Sequence, residues 1–188
     1  MVARDFADGV AFAEVAKLIE RVAAPDAIVT LDAGTFGAPF YRKVGWVPPQ
    51  RLVVPVSGAM GFGIPAAVAA ALRCPGRQVI GLVGDGGALM TGAEFAVAVA
   101  RGAAVKLILS DNGSYASIRI HQEKAHPGRV SGTSLINPDF ARWCAAFRVP
   151  VTVVESKADF PALEATLAAP GPAAVVVRTS LEAVLPRR

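Results

Sequence analysis

The chain has 188 residues and a formal net charge of +4, with 53% hydrophobic and 18% charged residues. Such a composition excludes a disordered chain, and the length suits a single domain over residues 1–188. The longest apolar run, from Ile64 to Leu72, is far shorter than the ~18–20 residues of a membrane-spanning helix, so no membrane insertion is expected. The positive charge is thinly spread, which argues against nucleic acid as a partner.

The N-terminal residues give no sign of export, and the cysteines give no sign of a metal site. Arg4, Asp5 and Asp8 interrupt the N-terminal residues, and that is not the pattern of a signal peptide. Basic residues cluster only in short segments such as Arg187-Arg188. Cys74 and Cys144 have no metal or redox spacing, so we expect reduced thiols and a cytoplasmic location.

The chain begins with a helical pattern and continues with short apolar runs. Phe12, Val15 and Ile19 recur at helical spacing, which predicts a leading helix from Asp8 to Ala23 within residues 1–26. The apolar runs are four to six residues long and do not alternate with polar residues, which is typical of strands buried on both faces. These predicted strands are Ala27–Leu31, Leu52–Val54, Gln78–Val83, Val105–Leu109, Val151–Val154 and Ala173–Val177.

Further helical patterns lie between most of these strands. They cover Ile64–Leu72, Thr91–Ala100, Phe140–Phe147 and Ala158–Leu167. Thr91 and Glu94 have the spacing of a capping box at a helix start. Asn137-Pro138 resembles a helix cap followed by proline in the first turn.

This alternation predicts an α/β fold: a doubly wound, parallel sheet of about six strands with helices on both faces. Ligands of such sheets bind beyond the carboxyl ends of the strands. Glycine-rich segments follow several of the predicted strands there, at 32–34, 57–63, 84–87 and 111–114. The sequence therefore predicts a ligand site at that edge.

Two of these segments carry oxygen ligands. Gly84-Asp85-Gly86-Gly87 directly follows the apolar run Val79–Val83, and Asn112 comes 27 positions after Asp85. Gly-Asp-Gly on its own also occurs in ordinary turns. If the two strands are neighbours, however, a carboxylate, an amide oxygen and a backbone carbonyl would form half of a Mg²⁺ shell, with phosphates and water completing it.

Other polar residues are open to simpler interpretations. His121, Glu123 and His126 do not have convergent metal-ligand spacing and suit a solvated or entrance-lining segment. Asp32 follows a predicted strand and is as well explained as a turn former as by a ligand role. The glycines at 84 and 86 do not complete a dinucleotide-binding pattern, and no P-loop sequence occurs.

These motifs together resemble a known family. Gly84-Asp85-Gly86 with Asn112 is similar to the fingerprint of thiamine-diphosphate (ThDP) enzymes, and the segment 56–67 resembles the glycine-rich loop and Pro-Ala-Ala helix of acetolactate synthases and 2-keto-acid decarboxylases. The similarity runs from about Ala27 to Val177. The chain thus resembles the C-terminal diphosphate-binding domain of an acetolactate-synthase-like enzyme.

The resemblance implies a role for each residue of the site. Asp85 and Asn112 would bind Mg²⁺ through side-chain oxygens, and Ser114 through its carbonyl. Met60 would wedge beneath the cofactor, although Met60 on its own is also explained as core filling, and Tyr115 would pack beside the cofactor or simply on the sheet edge. The remaining implied cofactor contacts are Gly34, Thr35, Phe36, Gly58, Ala59, Gly84, Gly86 and Gly87. Acetolactate synthases often carry Gln and His where this chain has Thr35 and Phe36.

The resemblance also implies partners. In the family another domain holds the aminopyrimidine and supplies the activating Glu, and nothing in this chain corresponds to it, so the chain alone is expected to be inactive. It would act on 2-keto acids as one domain of a larger enzyme or as a subunit of a split one; an FAD-bearing parent stays open. A non-catalytic ThDP-binding module and an unrelated nucleotide-binding domain are the alternatives. The mean hydropathy of +0.46 suggests self-association as well.

Overall fold

Six parallel strands form one sheet in the computed structural model, which describes residues 6–186. The order across the sheet is β2-β1-β3-β4-β6-β5. The interpretations of residues 1–5 and of Arg187-Arg188 lie outside the described part. The strands are β1 (Ile28–Leu31), β2 (Arg51–Val53), β3 (Val79–Gly84), β4 (Val105–Asp111), β5 (Val151–Val154) and β6 (Ala173–Arg178). Each predicted strand is confirmed to within two residues at either end.

Helices cover both faces of the sheet, so the predicted α/β class is confirmed. They are α1 (Phe12–Val22), α2 (Ala38–Arg42), α3 (Gly63–Arg73), α4 (Asp85–Thr91), α5 (Phe95–Ala100), α6 (Ala116–Ala125), α7 (Phe140–Ala145) and α8 (Phe160–Ala168). One core joins the sheet to α1, α2 and α8, and the other joins it to α3, α4, α5 and α7.

The central strands are buried on both faces, as predicted, because successive strand side chains point to opposite sides. In β3, Ile80 and Leu82 enter the first core, whereas Val79 and Val83 enter the second. The prediction was wrong for the two edge strands. Val53 of β2 and Val153 of β5 are exposed, because each edge strand has a neighbour on one side only.

The leading helix starts four residues later than predicted. Helix α1 begins at Phe12, and Asp8 lies before it in a turn. The Asp8 carboxylate accepts hydrogen bonds from Ser180 Oγ (2.6 Å) and from the amides of Leu181 and Glu182. Asp8 therefore fastens the chain before α1 to the segment after β6, a long-range contact that helical periodicity does not reveal.

The predicted capping box at Thr91 is wrong. Thr91 is the last residue of α4, a helix that the sequence did not reveal, and a 3-10 turn over Gly92–Glu94 precedes α5. The Thr91 hydroxyl donates to the carbonyl of Gly61 at 2.7 Å instead of capping a helix. Of the glycines that suggested a loop at 84–87, Gly84 ends β3, and Gly86 and Gly87 lie in the first turn of α4.

The predicted cap at Asn137 is also wrong. Asp139 is the N-cap of α7, and its carboxylate accepts a hydrogen bond from the amide of Arg142 at 3.0 Å. Asn137 lies two residues earlier and makes contacts with the ends of β3 and β4. Helix α6, which carries His121 and Glu123, was not predicted either.

Within residues 6–186 no helix is long and apolar enough to cross a membrane. Cys74 and Cys144 are both free thiols. Burial raises the pKa of Cys144 to about 12, which keeps this thiol protonated and unreactive at neutral pH.

Candidate functional site

A small cavity of about 60 Å³ lies where β1, β3 and β4 end. Most of the predicted cofactor contacts line it: Gly34, Thr35, Phe36, Met60, Gly84, Asp85, Gly86, Asn112, Ser114 and Tyr115. The structure thus brings together segments far apart in the sequence, as expected for the carboxyl ends of neighbouring parallel strands. The roles of these residues toward a cofactor stay predictions.

Three predicted contacts lie outside this cavity. Gly58 is exposed and lines a neighbouring surface cavity that also contains Thr35. Ala59 is exposed and lines neither cavity. Gly87 is buried against Asp32, and a Cβ atom at Gly87 would overlap the Asp32 carboxylate. Lack of a side chain at Gly87 is therefore required by packing within the chain.

Asp85 is the central charged group of the cavity and is only 4% exposed. Its Oδ2 accepts hydrogen bonds from the amides of Asn112 (3.2 Å) and Gly113 (2.8 Å), and from Asn137 Nδ2 (2.9 Å). Its Oδ1 accepts one hydrogen bond, from the amide of Gly86 at 2.9 Å. A carboxylate held by this many donors is fixed in orientation.

Asn112 and Ser114 follow β4, which pairs with β3, and so lie beside Asp85. Asn112 Oδ1 accepts from the amide of Ser114 at 3.0 Å. The Ser114 hydroxyl donates to the carbonyl of Thr133 (2.9 Å), and the amide of Tyr115 donates to the same carbonyl (2.8 Å). The segment around Thr133 therefore fixes the loop that carries Asn112 and Ser114.

Asp111, the last residue of β4, is the second carboxylate next to the site. Asn137 Nδ2 donates to Asp111 Oδ1 at 2.7 Å while also donating to Asp85. Burial raises the pKa of Asp111, the hydrogen bond from Asn137 opposes that rise, and the nearby charge of Asp85 adds to it. Sequence reasoning missed this pair, because Asn137 lies 52 residues from Asp85 and no local pattern connects them.

Gly86 leaves the space that gives the cavity its shape. A Cβ atom at Gly86 would lie 2.5 Å from the Tyr115 ring and 3.0 Å from Met60 Cε. Both side chains therefore pack on the bare backbone at Gly86. Met60 is half-buried and lines the cavity, so it is not enclosed in the core, and its position beneath a cofactor stays a prediction.

Asp32 holds the glycine-rich loop that carries Met60. Its buried carboxylate accepts hydrogen bonds from the amides of Gly61 (3.1 Å), Phe62 (2.9 Å) and Gly63 (3.4 Å). Asp32 thus satisfies free amides at the start of α3 from a different part of the chain. It is neither a turn former nor a residue of the cavity lining, and no local signal in the sequence indicates this long-range contact.

The β1 loop closes the other side of the cavity. The amide of Thr35 donates to Ser117 Oγ at 2.9 Å, so its hydrogen is already engaged. Phe36 is a core residue whose ring packs edge-on against Phe12, at 5.4 Å between centroids, and borders the cavity near Gly34. Ala33, Ser110, Ala116, Ser117 and Ile118 also line the cavity, although the sequence did not single them out.

The charge of the lining is unusual for a phosphate site. Among the described residues Asp85 is the only carboxylate that lines the cavity, and no lysine or arginine does. No cluster of three or more His, Cys, Asp or Glu side chains suited to a metal ion occurs in residues 6–186. Any metal here would therefore use one carboxylate together with amide and carbonyl oxygens. That donor set fits Mg²⁺ when other ligands complete the shell.

Comparison with known proteins identifies the class to which this fold and site belong. Residues 32–177 match the family model described as thiamine pyrophosphate enzyme, C-terminal TPP binding domain. The chain therefore belongs to the thiamine pyrophosphate enzyme family, in which it corresponds to the C-terminal TPP-binding domain.

Individual relatives agree with this assignment. The chain is 33% identical to the acetolactate synthase large subunit of Parasynechococcus marenigrum, over 91% of this chain and 28% of that protein. It is 32% identical to the benzoylformate decarboxylase of Pseudomonas aeruginosa, over 86% of this chain and 31% of that protein.

A solved structure shows the same fold. The thiamine diphosphate-dependent 4-hydroxybenzoylformate decarboxylase of Rhodococcus jostii superposes with a TM-score of 0.86 at 30% sequence identity, over 96% of this chain and 34% of that one. The chain thus spans about a third of the length of the proteins that it matches.

Proposed function

We propose that this chain binds the diphosphate of ThDP through Mg²⁺, as part of an acetolactate-synthase-like enzyme that acts on 2-keto acids. One observation carries the proposal. Asp85 and Asn112, at the ends of adjacent strands, line the same cavity as Gly84 and Gly86. The glycine backbone and the side-chain oxygens that could bind a metal therefore lie next to each other, at the edge of the sheet where such folds bind ligands.

The charge of the cavity lining supports a bound divalent cation in this proposal. A diphosphate carries several negative charges, and the lining adds the carboxylate of Asp85 but no cationic side chain. Direct contact between these groups would be strongly repulsive in a partly buried site. A divalent cation between them reverses the sign of the interaction, and Mg²⁺ commonly combines one or two carboxylates with phosphate oxygens.

Different residues would contact different parts of the bound metal and cofactor. Asp85 and Asn112 would contribute side-chain oxygens and Ser114 its carbonyl, while the amides of Gly86 and Gly87 would face the diphosphate. Met60 would support the cofactor from beneath. When bound, ThDP supplies the electron sink for decarboxylation of a 2-keto acid, and the chain's own residues bind and orient it.

The remaining groups of the reaction would come from a pyrimidine-binding domain or subunit, including the activating Glu. Exposed apolar side chains support such an interface and self-association. Val56 and Ile136 are fully exposed, and Met90 is 54% exposed. We expect these side chains to contribute to a surface that a partner covers, since exposed apolar patches commonly mark interfaces. The alternatives are a non-catalytic ThDP-binding module and one subunit of a split 2-keto-acid decarboxylase.

Calorimetric titration of ThDP into the purified chain tests the proposal, with Mg²⁺ and then with EDTA. We expect heat of binding with Mg²⁺ only, and its loss in Asp85→Ala but not in Asp26→Ala. Asp26 is a suitable control because it is a partly exposed carboxylate whose ion pair with Arg77 is long, at 3.7 Å. Equal binding by Asp85→Ala, or binding that survives EDTA, would overturn the metal-bridged site.

A second experiment separates the catalytic proposal from the alternatives. The chain is mixed with a pyrimidine-binding domain of an acetolactate-synthase-like enzyme, and release of CO₂ from 2-keto acids is measured. Activity that requires both components supports an enzyme component. A mixture that binds ThDP and assembles, yet releases no CO₂ from any 2-keto acid offered, favours the non-catalytic module.

A further inference from the structure

Asn137 connects the two carboxylates at the ends of β3 and β4. Its side-chain NH₂ group donates one hydrogen bond to Asp85 Oδ2 (2.9 Å) and another to Asp111 Oδ1 (2.7 Å), which uses both of its hydrogens. Only the NH₂ end of the amide can lie there, because the carbonyl end would place three acceptors together. The amide orientation is therefore set by the two carboxylates.

These hydrogen bonds are not explained by a role in the adjacent helix. Asp139, not Asn137, caps α7. Asn137 Oδ1 is buried and makes no hydrogen bond to any described residue. A buried amide with an unpaired carbonyl oxygen costs stability. The contribution of this side chain therefore lies in what its NH₂ group does to Asp85 and Asp111.

The two carboxylate oxygens of Asp85 accept different numbers of hydrogen bonds. Oδ2 receives three donors, from Asn112, Gly113 and Asn137. Oδ1 receives one, from the amide of Gly86. A carboxylate oxygen has about two lone-pair sites, so Oδ2 is saturated and Oδ1 keeps the capacity to bind a cation.

We propose that Asn137 is a positioning residue of the metal site, which holds Asp85 with Oδ1 toward the cavity and stays between the carboxylates of Asp85 and Asp111. The inference rests on the proposed function, since it concerns the cation that Asp85 would bind. Without the Asn137 amide, two like charges face each other in a partly buried space, and the Asp85 carboxylate loses one of its four hydrogen-bond donors. Both changes weaken the ligand without removing it.

Metal affinity measures this role directly and needs no turnover. Mn²⁺ is titrated into the full chain with saturating ThDP, and the free Mn²⁺ is followed by its electron paramagnetic resonance signal. We expect Asn137→Ala to raise the Mn²⁺ dissociation constant by about tenfold or more, as is usual when a residue that orients a metal ligand is lost. Asn137→Leu, which keeps the volume of the side chain, is the second variant in case alanine folds poorly.

Asp139→Ala is the matched control, because it removes the true cap of α7 two residues away. A purely structural role for this segment would lower the melting temperature of the Asn137 and Asp139 variants alike and leave the Mn²⁺ dissociation constant within about twofold, and that result overturns the inference alone. Failure of the wild-type chain to bind Mn²⁺ with ThDP overturns the proposed function and the inference with it. A weakened Mn²⁺ affinity confined to the Asn137 variants supports both.

Discussion

Asp85 and Asn112 lie at the ends of two paired strands, and the amide of Asn112 donates a hydrogen bond of 3.2 Å to Asp85 Oδ2. The loop after β4 is thereby attached to the carboxylate after β3. This contact makes the two segments one site. Gly86 directly follows Asp85, and the side chains of Met60 and Tyr115 pack against its backbone.

Gly86→Ala should abolish or strongly weaken ThDP binding while leaving the fold intact. The added methyl group would meet the Tyr115 ring at 2.5 Å and so displace this ring, which lines the cavity. Alanine favours the helix in which position 86 lies, by up to about 1 kcal/mol over glycine, so loss of binding cannot come from a weakened α4. Calorimetric titration with ThDP and Mg²⁺ measures the effect.

Gly45→Ala is the control for this substitution, because a Cβ there meets nothing closer than Glu20 Oε1 at 3.7 Å. Binding by Gly86→Ala with the affinity of Gly45→Ala would mean that Tyr115 moves aside freely, and the proposed packing at Gly86 would be wrong.

Asp32→Asn should destabilise the chain by about 1–3 kcal/mol, because an anion that accepts from three buried amides is replaced by a group with one acceptor oxygen. Its NH₂ end would also face Gly87 or the amides before α3. Urea denaturation measures the change in the free energy of unfolding. Asp26→Asn removes a partly exposed carboxylate and should change that free energy by less than about 0.5 kcal/mol; equal effects of the two substitutions would contradict the assigned role of Asp32.

Ser117→Ala should tighten ThDP binding by about 2- to 10-fold, the equivalent of one net hydrogen bond of 0.5–1.5 kcal/mol. The Ser117 hydroxyl occupies the amide of Thr35, which must be released before it can face a phosphate oxygen. Calorimetry on this variant and on Ser131→Ala, whose hydroxyl is not part of the site, gives the comparison. Weaker binding by Ser117→Ala would show that the hydroxyl itself contacts the cofactor.

The pH dependence of stability should contain a contribution from Lys106. Burial lowers the pKa of this lysine below its ordinary value of 10.5, and its ammonium group donates to the carbonyl of Gly171 at 2.6 Å. In the pH range just below 10.5 the unfolded chain binds more protons at this group than the folded chain does. The free energy of unfolding therefore rises with pH through that range.

Lys106→Met should remove this rise, whereas Lys17→Met should keep it, because Lys17 is an exposed residue paired with Glu14. Urea denaturation across the alkaline range measures both. An unchanged slope in Lys106→Met would mean that the lysine is not desolvated in the folded chain.

Several parts of the fold follow from the sequence because their causes are local. The unalternated runs at Val79–Val83 and Val105–Leu109 require burial on both faces, and the glycines after them mark the ends of strands. That was sufficient to predict the parallel sheet and the meeting of Asp85 with Asn112. The edge strands were the exception, because a run such as Leu52–Val54 does not reveal how many neighbours a strand has.

Helix boundaries were less predictable where side-chain donors find partners far away in the chain. Thr91 and Asn137 both have the residue types of local caps, yet Thr91 donates to Gly61 and Asn137 donates to Asp85 and Asp111. In each case the side chain makes a hydrogen bond to a distant residue, although its residue type and position predicted a helix cap.

The sequence by itself determined the sheet, its parallel direction, the edge that carries the site and the family to which the chain belongs, because these depend on hydrophobic patterns and on contiguous motifs. Only the tertiary structure decided how that site is held. Asp32 fixes the amides before α3, Ser117 engages Thr35, and Asn137 bridges Asp85 and Asp111. Each of these contacts joins residues far apart in the chain, and a hydrogen bond between distant residues depends on folded geometry that no local pattern encodes.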